Sequence, residues 1–194
     1  MTDPDSLARV RAEFDSLKGD ETDFEKALRD ILTLEATGDL TYLGYVIHET
    51  LRISPVGVAT TGHWFEKDMK LGYIDYKAHT VIMINIYGLH RNENYWQRPY
   101  EFLPDRFDPR HELSKTPNGE KRNPYAWLPY NGGKRVCFGK NFAEYVLKVM
   151  LTMVTQRFDF EFVDEGRYSK DKMPCKIIGR SHDPEFWVYC RERQ

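Results

Sequence analysis

The chain has 194 residues, enough for one domain of ordinary size or one lobe of something larger. At 41% hydrophobic, 14% aromatic and 30% charged it is globular in balance, which excludes disorder throughout, and a net charge of -2 gives no general reason to expect a nucleic-acid partner. No apolar run is long enough to cross a bilayer, the polar N-terminus does not read as a signal peptide, and Cys137, Cys175 and Cys190 lack a C-x-x-C pair, so a disulfide scaffold is not expected and a reducing, intracellular compartment is.

In chain order, a helix is expected over about 3–17, where Asp3 can cap, Pro4 suits the first turn, and Leu7, Val10, Phe14 and Leu17 form a stripe. "KGDETD" breaks the pattern, and a second helix is expected over about 24–34. A third runs over about 40–53, with Leu43, Val46, Ile47 and Leu51 at helical spacing and Ser54-Pro55 to end it. Strands are expected over about 56–90, two of them joined by a tight turn. Residues about 108–128 open on "DPRHELSKTPNGEKRN", polar and marked by Pro and Gly, and read as a surface loop or meander. A strong helix follows over about 140–156, carried by Phe142, Val146, Val149, Met150 and Met153, and short strands close the chain over 158–193.

The stretch "PYNGGKRVCFGKNFAE", residues 129–144, places one cysteine between glycines, beside basic residues and ahead of a helix. A thiol at a helix N-terminus near positive charge is tuned towards thiolate, a nucleophile or metal ligand. A phosphate-binding loop fails by spacing, because Lys134 stands where its first glycine belongs and Asn141 where Ser or Thr would meet magnesium. Zinc fails because no second Cys or His lies at ligand spacing from Cys137. A cysteine hydrolase would need a His and an orienting group brought near by the fold, and a buried structural cysteine is the plain alternative. Gly132, Gly133 and Gly139 allow close approach of the backbone, and Arg135 adds a permanent charge suited to a carboxylate.

Tyr130-x-x-Gly133-x-Arg135-x-Cys137-x-Gly139, continued by Ala143, resembles the haem-ligand loop of the cytochrome P450 family, F-x-x-G-x-R-x-C-x-G, with Tyr for the usual Phe. Glu49-Thr-Leu-Arg52 and Phe102-Leu-Pro-Asp-Arg106-Phe107 resemble two further signatures of that family, in the proper order. The resemblance covers nearly the whole chain. It implies a mainly α fold with small β-sheets (α+β), the C-terminal haem-binding part of the family fold with the N-terminal half absent, and a haem-ligand loop over 129–139.

By the same resemblance the chain represents a haem-thiolate monooxygenase, inserting one oxygen atom of O2 into an organic substrate. Cys137 is then the axial thiolate of haem b iron and the catalytic ligand, with donation that favours O–O cleavage. Amide N–H groups around Val136 to Lys140 would tune the sulfur, Arg135 would pair with a haem propionate, and Tyr130 would pack beneath the haem plane. Gly133, Gly139 and Ala143 complete the loop, and His63 is the nearest candidate for a second propionate contact. Glu49, Arg52 and Arg106 would form a buried polar triad, and Val56, Val58, Ala59 and Thr60 would line the substrate pocket. Lys134 and Lys140 would face a flavoprotein or ferredoxin electron donor, and the substrate would be a lipophilic small molecule. The motifs look more like eukaryotic members than soluble bacterial ones, which suggests the endoplasmic-reticulum membrane, although no anchor is expected in this chain. No A/G-G-x-D/E-T pattern occurs, so the isolated chain is expected to be inactive. The alternatives are a non-enzymatic thiolate-haem module or remnant, and an O2-independent member that rearranges hydroperoxides.

Overall fold

A computed structural model describes residues 3–163 and 188–193. Helix α1 spans Pro4–Lys18, with the Asp3 side chain accepting from the Ser6 amide and Pro4 in the first turn. Its Val10 and Phe14 are buried, while Leu17 is exposed at the end of the stripe. Helix α2, Phe24–Ile31, is capped by Asp23 and stops before residue 34. There Thr33 turns the chain, bonding Asp30 O and the Ala36 amide, and a 3-10 turn follows over Ala36–Asp39. Helix α3, Thr41–Ile53, has no capping side chain of its own. Its first amides are met across the interface instead, Glu13 of α1 accepting from Tyr42 and Leu43 at 2.6 and 3.0 Å. Val10 and Phe14, Leu28 and Ile31, and Leu40, Leu43, Val46 and Ile47 form one apolar core between these three helices.

The segment expected as strands over 56–90 is more broken. Residues 56–61 form no strand, Ala59 making a single bridge to Asn85. Strand β1 (His63–Trp64) pairs with β4 (Val81–Ile82), and β2 (Met69–Leu71) with β3 (Ile74–Tyr76), antiparallel throughout. Gly72, at φ +63°, supplies the left-handed residue of the tight β2–β3 turn. Residues 86–89 are helical (α4, Ile86–Leu89), because the Asn85 side chain accepts from the Gly88 amide and opens a helical turn where alternation suggests a strand.

Helix α5 spans Lys140–Arg157. It docks largely through polar groups: Tyr145 Oη donates to Leu32 O, Lys148 Nζ to Thr37 O, and Arg11 of α1 donates to Thr155 O. Leu147 and Leu151 join the core, and Thr152, Thr155 and Gln156 are buried. Much of the stripe that marks the helix in sequence therefore lies at the surface, with Phe142, Met150 and Met153 exposed and Val146 and Val149 half-buried. Strand β5 (Phe158–Phe162) pairs with β6 (Val188–Glu192). Residues 164–187, part of the stretch expected as C-terminal strands, lie outside the described residues, as does Cys175.

One carboxylate organises the middle of the chain. Glu49 is fully buried on α3 and accepts from Arg52 Nε and Nη2 at 2.7 and 2.9 Å, a bidentate pair one turn apart. Its Oε1 also accepts from Arg106 Nε at 2.9 Å and from the Leu103 amide at 2.8 Å. The remaining guanidinium protons go to backbone oxygens: Arg52 donates to His90 O, Pro99 O and Glu101 O, and Arg106 to Gln97 O, Arg98 O and Glu101 O. Trp96 lies buried among the three guanidinium groups of Arg52, Arg106 and Arg122, the last 3.9 Å from its ring centroid. His90, also fully buried, accepts the Leu128 amide at Nε2 (2.8 Å), which places its proton on Nδ1 facing Arg52 O.

Removing Arg106 as Arg106→Ala leaves a buried carboxylate short of a partner and should cost about 3–5 kcal/mol of unfolding free energy; a loss below about 1 kcal/mol in denaturant titration would show that the cluster does not hold the fold. Burial, the dominant cause, holds His90 down at about 4. Its unfolded value is near 6.5, so between about 6.5 and 4 the unfolded chain binds the extra proton and stability falls as pH falls. Stability measured across that window should drop for the parent and drop less steeply for His90→Gln.

Candidate functional site

The loop before α5 is built by two reversals. Asn131 and Gly133 both take positive φ, +62° and +63°, and a 3-10 turn follows over Gly133–Arg135. The Cys137 amide then donates to Tyr130 O at 2.8 Å, closing the loop on itself. Gly133 has open space where a Cβ would stand, so its requirement is conformational rather than steric. Gly139 differs: its φ is ordinary, and an added Cβ would lie 3.9 Å from the Cys137 sulfur. It is also the residue preceding α5, which has no side-chain cap, so the helix's first-turn amides and positive dipole end lie just beyond the cysteine. Ala143, half-buried, donates its amide to Gly139 O in that first turn.

Cys137 is an exposed free thiol. Around it stand exposed apolar side chains: Val136, Phe138, whose side chain is unscreened by any neighbour, and Phe142 on the first turn of α5. Among the described residues no hydrogen bond ends on the sulfur, so the expected donation from nearby amides is not formed in this arrangement. Lys134 and Arg135 are exposed beside it, and neither has an ion-pair partner among the described residues.

Tyr130 lies under the loop. Its hydroxyl is buried and has no hydrogen-bond partner among the described residues, and burial first, then the negative charge of Glu144 and Cys137, pushes it up to about 12. The phenol is therefore neutral at any ordinary pH. Trp127 meets its ring edge-on with centroids 6.4 Å apart, and Lys140 Nζ sits 6.0 Å above it.

Two residues behind the loop were not singled out from sequence. His48 of α3 packs 4.6 Å from the Trp127 ring and faces Glu144 of α5, Nε2 to Oε1, at 3.7 Å. That separation is too long for a hydrogen bond, and burial, helped by Lys140 and Lys148, holds His48 down at about 4. The pair is thus a neutral imidazole beside a carboxylate, not a salt bridge, near neutral pH. No motif could have flagged it, since residues 48 and 144 meet only when α3 and α5 pack.

The structure brings Glu49, Arg52 and Arg106 together and places Tyr130, Gly133, Arg135, Cys137, Gly139 and Ala143 in one loop and helix start. His63 is exposed on β1, and no hydrogen bond, ring contact or ion pair joins it to that loop among the described residues. Val56 is exposed and Val58 and Ala59 are half-buried. Thr60 is buried, its hydroxyl accepting the Ile84 amide at 3.0 Å, a fastening of the β-region that leaves its oxygen engaged. No group of three or more metal-ligating side chains converges among the described residues, and none of their helices is long and apolar enough to cross a membrane.

The sequence model of the family described as Cytochrome P450 matches residues 1–184. Among curated relatives, Cytochrome P450 3A25 of Mus musculus is 34% identical over 167 residues, covering 86% of this chain and 30% of the relative. Cytochrome P450 3A1 of Rattus norvegicus is 36% identical over 129 residues, 66% of this chain and 24% of the relative. A protein named Probable cytochrome P450 4p2, of Drosophila melanogaster, is 34% identical over 128 residues, 66% of this chain and 23% of the relative. The chain thus spans less than a third of the length of these relatives.

The two loop glycines should separate experimentally. Gly133→Ala forces a side chain into the left-handed region and should cost about 1–2 kcal/mol in chemical unfolding. Gly139→Ala should leave stability within about 0.5 kcal/mol of the parent while slowing thiol-reagent labelling of Cys137, because the new methyl sits against the sulfur. Equal stabilities for the two variants would contradict the assignment.

Proposed function

The chain belongs to the cytochrome P450 family, and we propose that it is the haem-binding part of a haem-thiolate monooxygenase with Cys137 as the axial ligand. The observation that carries the reading is an exposed thiol at the positive end of α5, in a loop of the family's signature, with exposed Val136 and Phe138 on either side of it in the chain and exposed Phe142 on the first turn of α5. These residues fit a haem: a macrocycle brings four nitrogen donors of its own, so one thiolate suffices, and its apolar faces match the apolar rim. When bound, the haem supplies the redox-active iron at which dioxygen is activated for insertion of one oxygen atom into an organic substrate.

The protein's own part is to hold and tune. The uncapped N-terminus of α5 and the basic residues at 134, 135 and 140 put positive charge beside the cysteine that would be the axial ligand. Arg135, exposed and without an ion pair among the described residues, is suited to a propionate. Tyr130 packs beneath the loop as a neutral phenol, and Gly133 gives the loop its turn. Gly139 keeps the space beside the sulfur free of a side chain, and Ala143 ties the first turn of α5 back to Gly139 through its amide. A role for His63 towards a second propionate, and for Val56, Val58, Ala59 and Thr60 towards substrate, rests on the resemblance alone. So do the lipophilic substrate, an electron donor docking at Lys134 and Lys140, and an endoplasmic-reticulum location.

The test is to express the chain with haem supply and record the ferrous carbon monoxide difference spectrum. A Soret band of thiolate ligation that vanishes in Cys137→Ala is expected. Arg135→Gln should weaken haem retention about ten- to a hundredfold, the range of one charge-assisted hydrogen bond. Failure of the parent chain to retain haem would sink the reading. Turnover of a substrate panel with a reductase would then distinguish a monooxygenase from a thiolate-haem module without turnover.

A further inference from the structure

Beside Arg106 of the Glu49 cluster lies a cavity of about 500 Å³, walled by Phe107, Pro109, Pro124 and Trp127. That volume lies within the range of small-molecule sites. Among the described residues its charged lining is of one sign: Arg106, Arg122, Lys115 and Lys121 border it, and no Asp or Glu does.

Two further observations show that this charge is in surplus. Behind the wall, the single carboxylate of Glu49 faces the guanidinium groups of Arg52 and Arg106, with Arg122 stacked on the same Trp96. Arg122 spends its protons on Tyr95 O, Arg106 O and Leu113 O, which satisfies its hydrogen bonds and leaves its charge uncancelled. Burial first, then the neighbouring charge of Arg106, brings it down to about 10, so it remains a cation at neutral pH. At the mouth, Lys115 and Lys121 are held directly opposite each other in an antiparallel bridge. That bridge is set by the Thr116-Pro-Asn-Gly-Glu120 turn, with the Thr116 amide donating to Glu120 O at 2.8 Å and Gly119 at positive φ. Like charges directly opposite repel, and neither lysine has an ion-pair partner among the described residues.

We propose that this cavity binds a small amphipathic anion, an aryl or aliphatic carboxylate, with its apolar body against Phe107, Pro109, Pro124 and Trp127 and its head group between Lys115 and Lys121. Such a ligand meets both features of the cavity. Its carboxylate relieves the facing lysines and lies in the field of Arg122, and its body displaces water from an aromatic wall. The site is distinct from the cysteine loop. It reaches that loop through Trp127, whose indole donates to His48 O and whose ring meets Tyr130 edge-on.

The experiment is fluorine NMR titration of the full chain with 6-fluoro-2-naphthoate, and with 6-fluoro-2-naphthamide as its neutral counterpart. Saturable binding of the carboxylate is expected, at least about tenfold tighter than that of the amide, the ratio one charge-assisted hydrogen bond supplies. The double variant Lys115→Glu/Lys121→Glu, confined to an exposed turn and checked for unchanged circular dichroism, should weaken carboxylate binding by at least the same factor. No binding of the carboxylate, equal binding of the amide, or undiminished binding to the double variant would each overturn the proposal. The last two outcomes would place the ligand on an apolar surface such as the outer stripe of α5. None of these readings depends on haem.

Discussion

The buried carboxylate of Glu49 is the constraint on which the rest of the chain is arranged. A charge taken out of water is tolerated only when its hydrogen-bonding capacity is met in full, and each guanidinium brought to it carries the same demand. Arg52 and Arg106 meet Glu49 and then need backbone oxygens for their remaining protons. Those oxygens come from residues 90 to 101, a stretch with little regular structure. A segment that has no ladder or helix of its own is thereby given a fixed path. The charge cluster acts here as a set of instructions for an irregular backbone more than as a source of net stability.

That path leads to the cysteine loop. Arg122 extends the cluster towards the meander, His90 receives the Leu128 amide, and Trp127 donates to His48 O in the middle of α3. Leu128 then opens the turn that carries Tyr130 and, through one backbone hydrogen bond, Cys137. The thiol is positioned by rigid neighbours although it lies at the surface itself. Both histidines along the route are kept neutral by burial, so the scaffold behind the loop changes charge only in acid, well away from neutral pH.

Much of this was legible in the residues, and the illegible parts share a cause. The capping of α1 by Asp3, the end of α3 at Ser54-Pro55 and the start of α5 after Gly139 are local events, decided within a few residues. Glu49 and Arg52 stand one helical turn apart, so their pairing needs nothing distant. By contrast, Asn85 turns an alternating run into a short helix, a choice between two local options that pattern alone could not make. The outward face of α5 is the clearest case: its apolar stripe gives the helix, yet Tyr145, Lys148 and Thr155 find partners on α1 and the α2–α3 connection, and that rotates the stripe to the surface.

By itself, the sequence determined the family, the three long helices α1, α3 and α5, and which cysteine sits in the signature loop ahead of a helix, because signature spacing, caps and helix periodicity are all short-range quantities. The tertiary structure decided which backbone oxygens, from residues 90 to 101, take the remaining protons of Arg52 and Arg106. It alone brought His48 to Glu144 and set Lys115 across from Lys121, and among the described residues it left the Tyr130 hydroxyl without a partner and the cavity without a compensating acid. Those are consequences of packing, in which burial sets the cost of each charge, and burial is a property no stretch of residues has until the others are in place.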